Sequence, residues 1–418
     1  MVDEPKPAPL MAQRNFAALW SGQLISILGD RFNYLALVGL VAQHTDSLRA
    51  PGASLLLTLL ANVMLAPVLL FSPFTGAWLD RLNLKRVMMW SDLARAILVA
   101  LIPLSYLATH SMPPVFVLIF LLFTCNVLFL PAKSAITPEI VPASQLVAAN
   151  AMLSGAGIAA TAIGALVGGV VVDHWGWAVA LYLDAATYLV SVISILVIRY
   201  RPLTDRPKAP PITLRGYLNE VGDGWHLVQR TPAVRLGMVV LAAVWIGGGF
   251  MHVSGNQHIQ HAASVPGMER VGILMCALGL GAGLGTWLAD RYLRPVPRHL
   301  LLGVGLVLAA VGLGAFAVST RFAVFAIAAF MTGTGLAPVF VLSETLLQQG
   351  TDVAQRGRVF SARDFVMRLV FMVAVAVAGV VTRASSNEEA LLVAAAVVTA
   401  VGVLTRWKGN VPTPATAR

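Results

Sequence analysis

The chain has 418 residues, of which 58% are hydrophobic and 11% charged. A soluble domain carries about a quarter charged residues, so the composition excludes a water-soluble globular protein. The net charge of +10 does not point to nucleic acid either, because the bases gather in short links between apolar runs, the pattern of positive-inside topology.

The start, Met1 to Arg14, is polar and contains prolines, and does not read as a cleavable signal peptide. Twelve apolar runs follow, at roughly 16–42, 53–74, 87–108, 114–132, 148–172 and 177–199. The second six lie at roughly 234–256, 270–289, 299–318, 322–343, 359–381 and 389–405. Each suits one membrane-spanning helix and is far longer than the roughly ten alternating residues of a barrel strand. The expected fold class is an all-α membrane protein with twelve transmembrane helices. One side of the membrane receives Lys6, Arg14, Arg81, Lys85, Arg86, Lys133 and the bases of 199–235, followed by Arg291, Arg294, Arg298, Arg356, Arg358, Arg406 and Lys408. The other receives Arg49, Arg270, Arg321 and Arg383. This asymmetry places both termini in the cytoplasm, with the protein in the cell inner (plasma) membrane. The two cysteines, Cys125 and Cys276, fall in apolar runs and read as small core residues.

Span 1 carries Asp30 and Arg31 about halfway along. A charge inside a span is costly and usually faces a cavity. Adjacent residues point about 100° apart on a helix, so the two do not face one cavity squarely. Asp30 shares a face with Asn33 and Tyr34. Asp30 is a candidate proton carrier; a structural ion pair with a base on another span is the alternative.

Between spans 2 and 3 lies Gly76-Ala77-Trp78-Leu79-Asp80-Arg81-Leu82-Asn83-Leu84-Lys85-Arg86. A glycine suited to a tight turn, one acid and several bases are packed into this link. An acid at such a turn can accept hydrogen bonds from the free N–H groups at a neighbouring helix N-terminus, making a latch that opens and closes. A basic turn that sets topology is the other reading. The stretch resembles the signature loop of the major facilitator superfamily, roughly Gly-x-x-x-Asp-Arg-x-Gly-Arg-Arg, through Gly76, Asp80, Arg81, Lys85 and Arg86. Asn83 replaces the family glycine, as a residue that also tolerates a left-handed turn. The resemblance implies two pseudo-symmetric six-helix bundles, residues 1–200 and 233–418, joined by a cytoplasmic linker, 201–232. It also implies that Asp80 caps the start of span 11 when the cytoplasmic side is shut.

Span 3 begins with Asp92 and Arg95 at helical spacing, which suits a structural pair. The segment after span 4, Pro131 to Pro142, reads as a loop. Span 5 carries Gly155, Gly157, Gly164, Gly168 and Gly169, whose spacing permits close helix packing in lipid. Its run Gly164-Ala165-Leu166-Val167-Gly168-Gly169 resembles the antiporter motif Gly-Pro-x-x-Gly-Gly, with Ala165 in place of proline. Span 6 has Asp184 near its outer end, close to Tyr182 and Tyr188, where a helix-terminal role is expected. Pro131-Ala132-Lys133, Leu28-Gly29-Asp30 and Asp184-Ala185-Ala186-Thr187-Tyr188 are similar to the drug and siderophore exporter branch of the superfamily, which includes macrolide efflux proteins and the enterobactin exporter. Pro-Ala-Lys and the span 1 Gly-Asp also resemble the neighbouring lysophospholipid transporters.

The polar middle opens with a stiff segment, Arg201-Pro202 through Pro210-Pro211. Thr213 to Gln229 then suits a surface helix with Leu214, Tyr217, Leu218, Val221, Trp225 and Val228 on one face. The signature loop recurs weakly as Gly285-Thr286-Trp287-Leu288-Ala289-Asp290-Arg291, as duplicated halves would require. Around the outer end of span 7, His252, Asn256, Gln257, His258 and His261 read as a polar cavity rim; no acid or cysteine joins them as a metal site. Span 11 opens with Arg356 and Arg358, then Arg363, Asp364 and Arg368, of which Asp364 and Arg368 can pair at i and i+4.

The expected function is a secondary transporter that moves a small amphipathic molecule by alternating access, as proton-coupled efflux; a lysophospholipid transporter between leaflets is the alternative. Candidate cavity residues are Asn33, Tyr34, Asn62, Phe123, Asn126, Trp245, Phe250 and His252. No nucleotide-binding loop, metalloprotease pair or nucleophile elbow occurs, so neither catalysis nor ATP-driven pumping is expected. No cofactor or metal is expected. The partners are the substrate and membrane lipid, not nucleic acid, and the chain is expected to act as a monomer.

Overall fold

The computed structural model describes residues 8–48, 50, 52–79, 82–200, 213–262, 267–292, 296–351 and 355–407. Among them all regular structure is helical, and twelve helical segments are long and apolar enough to cross a membrane. The first six spans are α1 (Arg14–His44), α2 (Ala53–Leu79), α3 (Leu84–Thr109), α4 (Met112–Ile140), α5 (Leu146–Trp175) and α6 (Trp177–Val197). A shorter amphipathic helix follows, α7 (Leu214–Arg230). The seventh span is α8 (Pro232–Phe250), a π-turn at Met251–Gly255 and α9 (Asn256–Ala262). The remainder are α10 (Met268–Arg291), α11 (Arg298–Val318), α12 (Phe322–Gln349), α13 (Arg356–Ala384) and α14 (Asn387–Trp407).

Every apolar run of the sequence became a helix, since backbone polar groups in lipid must be satisfied within the segment. One expected loop did not form. Residues 131–140 continue α4 with Pro131 and Pro138 inside the helix. Proline is tolerated there because neighbouring helices and local adjustments satisfy the freed carbonyls.

The chain divides into two compact units. Unit 1 comprises Met1–Leu40 and Val63–Thr213; unit 2 comprises Val41–Asn62 and Leu214–Arg418. Residues 41–62, the turn between the first two spans with the helix ends beside it, therefore pack with the second unit. In unit 1, α3 packs on α4 and α6, and α5 on α6. Leu19, Leu79, Leu84, Met88, Phe129, Ile136 and Ile195 form a buried apolar cluster at the end that carries the signature loop. Lys85 Nζ donates to the carbonyls of Leu196 (3.0 Å) and Ile198 (2.8 Å), closing the C-terminal end of α6. Asn83 is extended (φ −74°), not left-handed. Its side chain caps α3 by accepting from the Arg86 backbone N–H at 3.1 Å.

The span 5 glycines bring α5 onto α1. A Cβ at Gly164 would lie 2.9 Å from the Leu28 carbonyl oxygen, and one at Gly168 would lie 2.8 Å from the Phe32 ring. Close approach through small residues is how helices gain packing energy in lipid.

In unit 2, α10 packs on α12, α11 on α12 and α14, and α13 on α7 and α8. Of the expected apolar face of α7, Tyr217, Val221 and Val228 are buried, whereas Leu218 and Trp225 are exposed. The buried set repeats at helical spacing and faces α13, with Tyr217 edge-on to Phe365 at 6.3 Å. The π-turn lets the seventh span redirect its side chains. Ser254 Oγ meets Thr382 Oγ1 at 2.7 Å, and Gln257 Nε2 donates to the Leu48 carbonyl at 2.9 Å.

Candidate functional site

The polar side chains of the unit 1 spans converge. Two rungs join α1 to α6: Tyr188 donates its hydroxyl to Asp30 Oδ1 at 2.6 Å, and Asn33 Nδ2 donates to Asp184 Oδ2 at 2.8 Å. The rungs are crossed, since the first acid belongs to α1 and the second to α6. Residues 30 and 33, like 184 and 188, share a helix face, so the rungs lie one turn apart. The Thr187 hydroxyl lies 3.4 Å from Asp184 Oδ1. Each carboxyl is thus met by uncharged donors.

Alongside is a buried ion pair within α3. Arg95 Nη2 pairs with Asp92 Oδ1, and Ser191 Oγ of α6 donates to Asp92 Oδ2 at 2.6 Å. The Arg95 guanidinium lies between two rings, 4.3 Å from the Phe129 centroid and 4.4 Å from that of Tyr188. It also reaches Asn126 Oδ1 at 3.4 Å. One guanidinium therefore ties α3, α4 and α6 together, beyond the local pair that its spacing predicts.

Asp30, Asn33, Arg95, Asn126 and Tyr188 of these groups line a cavity with about 160 Å³ of water-accessible space. Helix α1 contributes Asp30, Arg31, Asn33 and Tyr34 to its wall, α2 Met64 and α3 Arg95. Leu122, Phe123 and Asn126 of α4 and Tyr188 of α6 complete the lining. The mixture of apolar wall and a few convergent polar groups is that of a small-molecule site. Arg31 Nε is buried there without a hydrogen-bond partner.

Asn33, Tyr34, Phe123 and Asn126 thus line one cavity, together with Asp30 and Arg31. The other expected cavity residues lie in unit 2. Asn62 bonds its own helix, donating to the Thr58 carbonyl at 3.0 Å. Trp245 and His252 pack edge-on against Phe371, at 5.5 and 6.3 Å, and Phe250 is core. Asp184 does not sit at a wetted helix end; it is fully buried, because Asn33 and Thr187 supply donors that water would otherwise provide. His258 does not form a cavity rim. It is buried, with Nε2 3.1 Å from the Ser319 carbonyl and Nδ1 3.1 Å from Glu388 Oε1. Asp364 forms its ion pair with Arg363 (2.7 Å) and acts on Arg368 electrostatically, and Arg363 also pairs with Glu344 of α12. The latch acid Asp80 and Arg81 lie outside the described residues, as do the side-chain surroundings of Gly76, whereas Arg86 is exposed. Sequence reasoning passed over Arg95 and Ser191 as site residues, although Arg95, a base within an apolar run, was a visible signal.

Comparison with known proteins agrees with this architecture. The "Putative bacilysin exporter BacE" of Bacillus subtilis (strain 168) is 24% identical over 356 residues, covering 84% of each chain. Macrolide efflux protein A of Streptococcus pyogenes is 22% identical over 226 residues, about half (52%) of each chain. The crystal structure of a bacterial homolog of the human lysosomal transporter Spinster, in an inward-facing and occupied conformation, superposes with TM-score 0.73 at 12% identity. It covers 96% of this chain and 98% of that one. The sequence pattern of the Major Facilitator Superfamily matches residues 19–296, more than half of the chain. Twelve membrane-spanning helices, a polar cavity among the early spans and this match together make the chain a multi-pass membrane transporter of the Major Facilitator Superfamily.

Proposed function

We propose that the chain is a secondary exporter. It moves a small amphipathic molecule outward across the inner membrane by alternating access, as a monomer with both termini in the cytoplasm, in exchange for protons. The observation that carries this reading is Asp30. It is a carboxyl midway along a span, it lines the cavity, and its hydrogen-bond donor is a neutral tyrosine hydroxyl, not a base. Such a group is not held in an ion pair, whereas a carboxylate locked to an arginine is. The outward direction is supported by the two exporters that the chain resembles.

The test is transport by purified protein in proteoliposomes under an imposed pH gradient, with ethidium, a macrolide and a catecholate siderophore as probes. Proton-driven flux of one of them is expected, and Asp30→Asn abolishes it. Unchanged coupling in that variant rules Asp30 out as the carrier. The lysophospholipid alternative is separated in the same vesicles: transfer of labelled lysolipid between leaflets, independent of the pH gradient, replaces the exporter reading.

A further inference from the structure

The charges around the unit 1 cavity do not cancel pairwise. On α3, Arg95 is neutralised by Asp92 and held between two rings. On α6, Asp184 is enclosed by Asn33 and Thr187 and is not part of the cavity lining. On α4, Lys133 lies within electrostatic reach of Asp30 and Asp92, but it forms no ion pair among the described residues and does not line the cavity. That leaves two lining groups on α1. Asp30 is bonded to the Tyr188 hydroxyl, and Arg31 has a buried Nε that bonds nothing. They are adjacent in sequence and about 100° apart around the helix, so neither is placed to neutralise the other. The base of the Arg31 side chain lies where α5 presents Gly164, which lets the two helices approach closely there.

A buried guanidinium N–H without an acceptor costs free energy that an anionic oxygen would recover. Asp30, a carboxylate on the same wall that forms no ion pair among the described residues, offers the complementary contact to a cation. Met64, Leu122 and Phe123 provide the apolar remainder. We propose that this cavity binds a zwitterion, with Arg31 holding its anionic oxygens and Asp30 its protonated amine. A lone cation would leave Arg31 uncompensated, and a lone anion would face Asp30. The proposal rests on the exporter reading for the assumption that the cavity holds cargo, and it names the class of that cargo. Two sources share the chemistry: a soluble molecule with free amino and carboxylate groups, and an aminophospholipid headgroup.

The experiment is equilibrium binding to the purified full-length protein by isothermal titration calorimetry, without a proton gradient. The probes are the dipeptide phenylalanylalanine, its N-acetyl form, its C-terminal amide, and lysophosphatidylethanolamine. A zwitterion is expected to bind at least about tenfold more tightly than a form lacking one charge, since each blocked probe loses a charged hydrogen bond. Binding of the dipeptide assigns a soluble cargo, and binding of the lysolipid alone assigns a headgroup. Arg31→Gln is expected to remove the preference for free dipeptide over amide, Arg31→Lys to keep most of it, and Asp30→Asn to remove the preference over the N-acetyl form. Unliganded melting temperatures check that each variant is folded, and the ranking of blocked probes on the unaltered protein needs no variant. The proposal is overturned if the amide or the N-acetyl form binds as tightly as the free dipeptide, if a folded Arg31→Gln variant keeps the full ranking, or if none of the probes binds. An intact ranking without proton-driven flux would instead sink the exporter reading and leave the zwitterion site standing.

Discussion

In unit 1 the charged side chains Asp30, Asp92, Arg95 and Asp184 lie inside the spans, where hydrogen bonds connect α1, α3, α4 and α6. In unit 2 the ion pairs among the described residues sit near helix ends: Glu344–Arg363–Asp364 where α12 finishes and α13 starts, Asp223–Arg358 beside them, and His258–Glu388 where α14 begins. Between those ends the unit 2 helices meet through small residues, as where Gly281 and Gly285 of α10 press on the backbone of α12. The difference teaches that the depth of a charge within its span, not the number of charges, sets how it must be satisfied. A charge at a helix end keeps part of its hydration. A charge inside a span must be enclosed by donors and acceptors or left for a ligand.

The largest expected effect lies on the unit 1 side. Asp30→Asn brings proton-driven efflux in proteoliposomes down to the leak rate, while Arg363→Gln in unit 2 leaves coupling intact. If both variants uncouple, the contrast fails. Next is stability. Arg95→Ala strands Asp92 in a site without exposure and is expected to cost about 3–5 kcal/mol, read by unfolding in detergent. An equal loss for Arg363→Ala would remove the distinction between the units.

Helix packing gives a smaller effect. Gly164→Val places methyl groups against the Leu28 backbone and is expected to cost about 1–3 kcal/mol. Gly155→Ala, where an added Cβ meets nothing within 4 Å, is expected to be neutral or slightly stabilising in the same unfolding measurement. The smallest effect belongs to Arg358→Ala. Its pair with Asp223 is 3.7 Å apart with both side chains more than half exposed, so melting should shift by no more than ~0.5 kcal/mol equivalent. A large loss there would show that α7 is held to α13 by charge. The buried Tyr217, Val221 and Val228 indicate apolar packing instead.

The number, type and approximate limits of the spans were legible in the sequence, because hydropathy acts along one dimension and lipid permits few backbone solutions. Four of the eight expected cavity residues line one cavity, and these four are all on α1 and α4. The other four lie in unit 2, where Trp245 and His252 pack against Phe371, Phe250 is core and Asn62 bonds its own helix. Trp245, Phe250 and His252 have the chemistry of a binding wall, but a helix in lipid has one face toward its neighbours and another toward the tails. Periodicity does not say which face meets a cavity. The i and i+4 spacing of Asp364 and Arg368 was likewise permissive only, and the adjacent Arg363 took the acid.

The sequence by itself determined that this is a twelve-helix membrane transporter, since apolar length, the placement of bases and the signature loop each depend on neighbouring residues. The tertiary structure decided which polar residues matter. It crossed Asp30 with Tyr188 and Asn33 with Asp184, assigned Asp92 to Arg95 and Ser191, and left Arg31 unanswered at the cavity wall. Those pairings link residues up to 158 positions apart. Their worth depends on distance and burial, which exist only once the helices have packed.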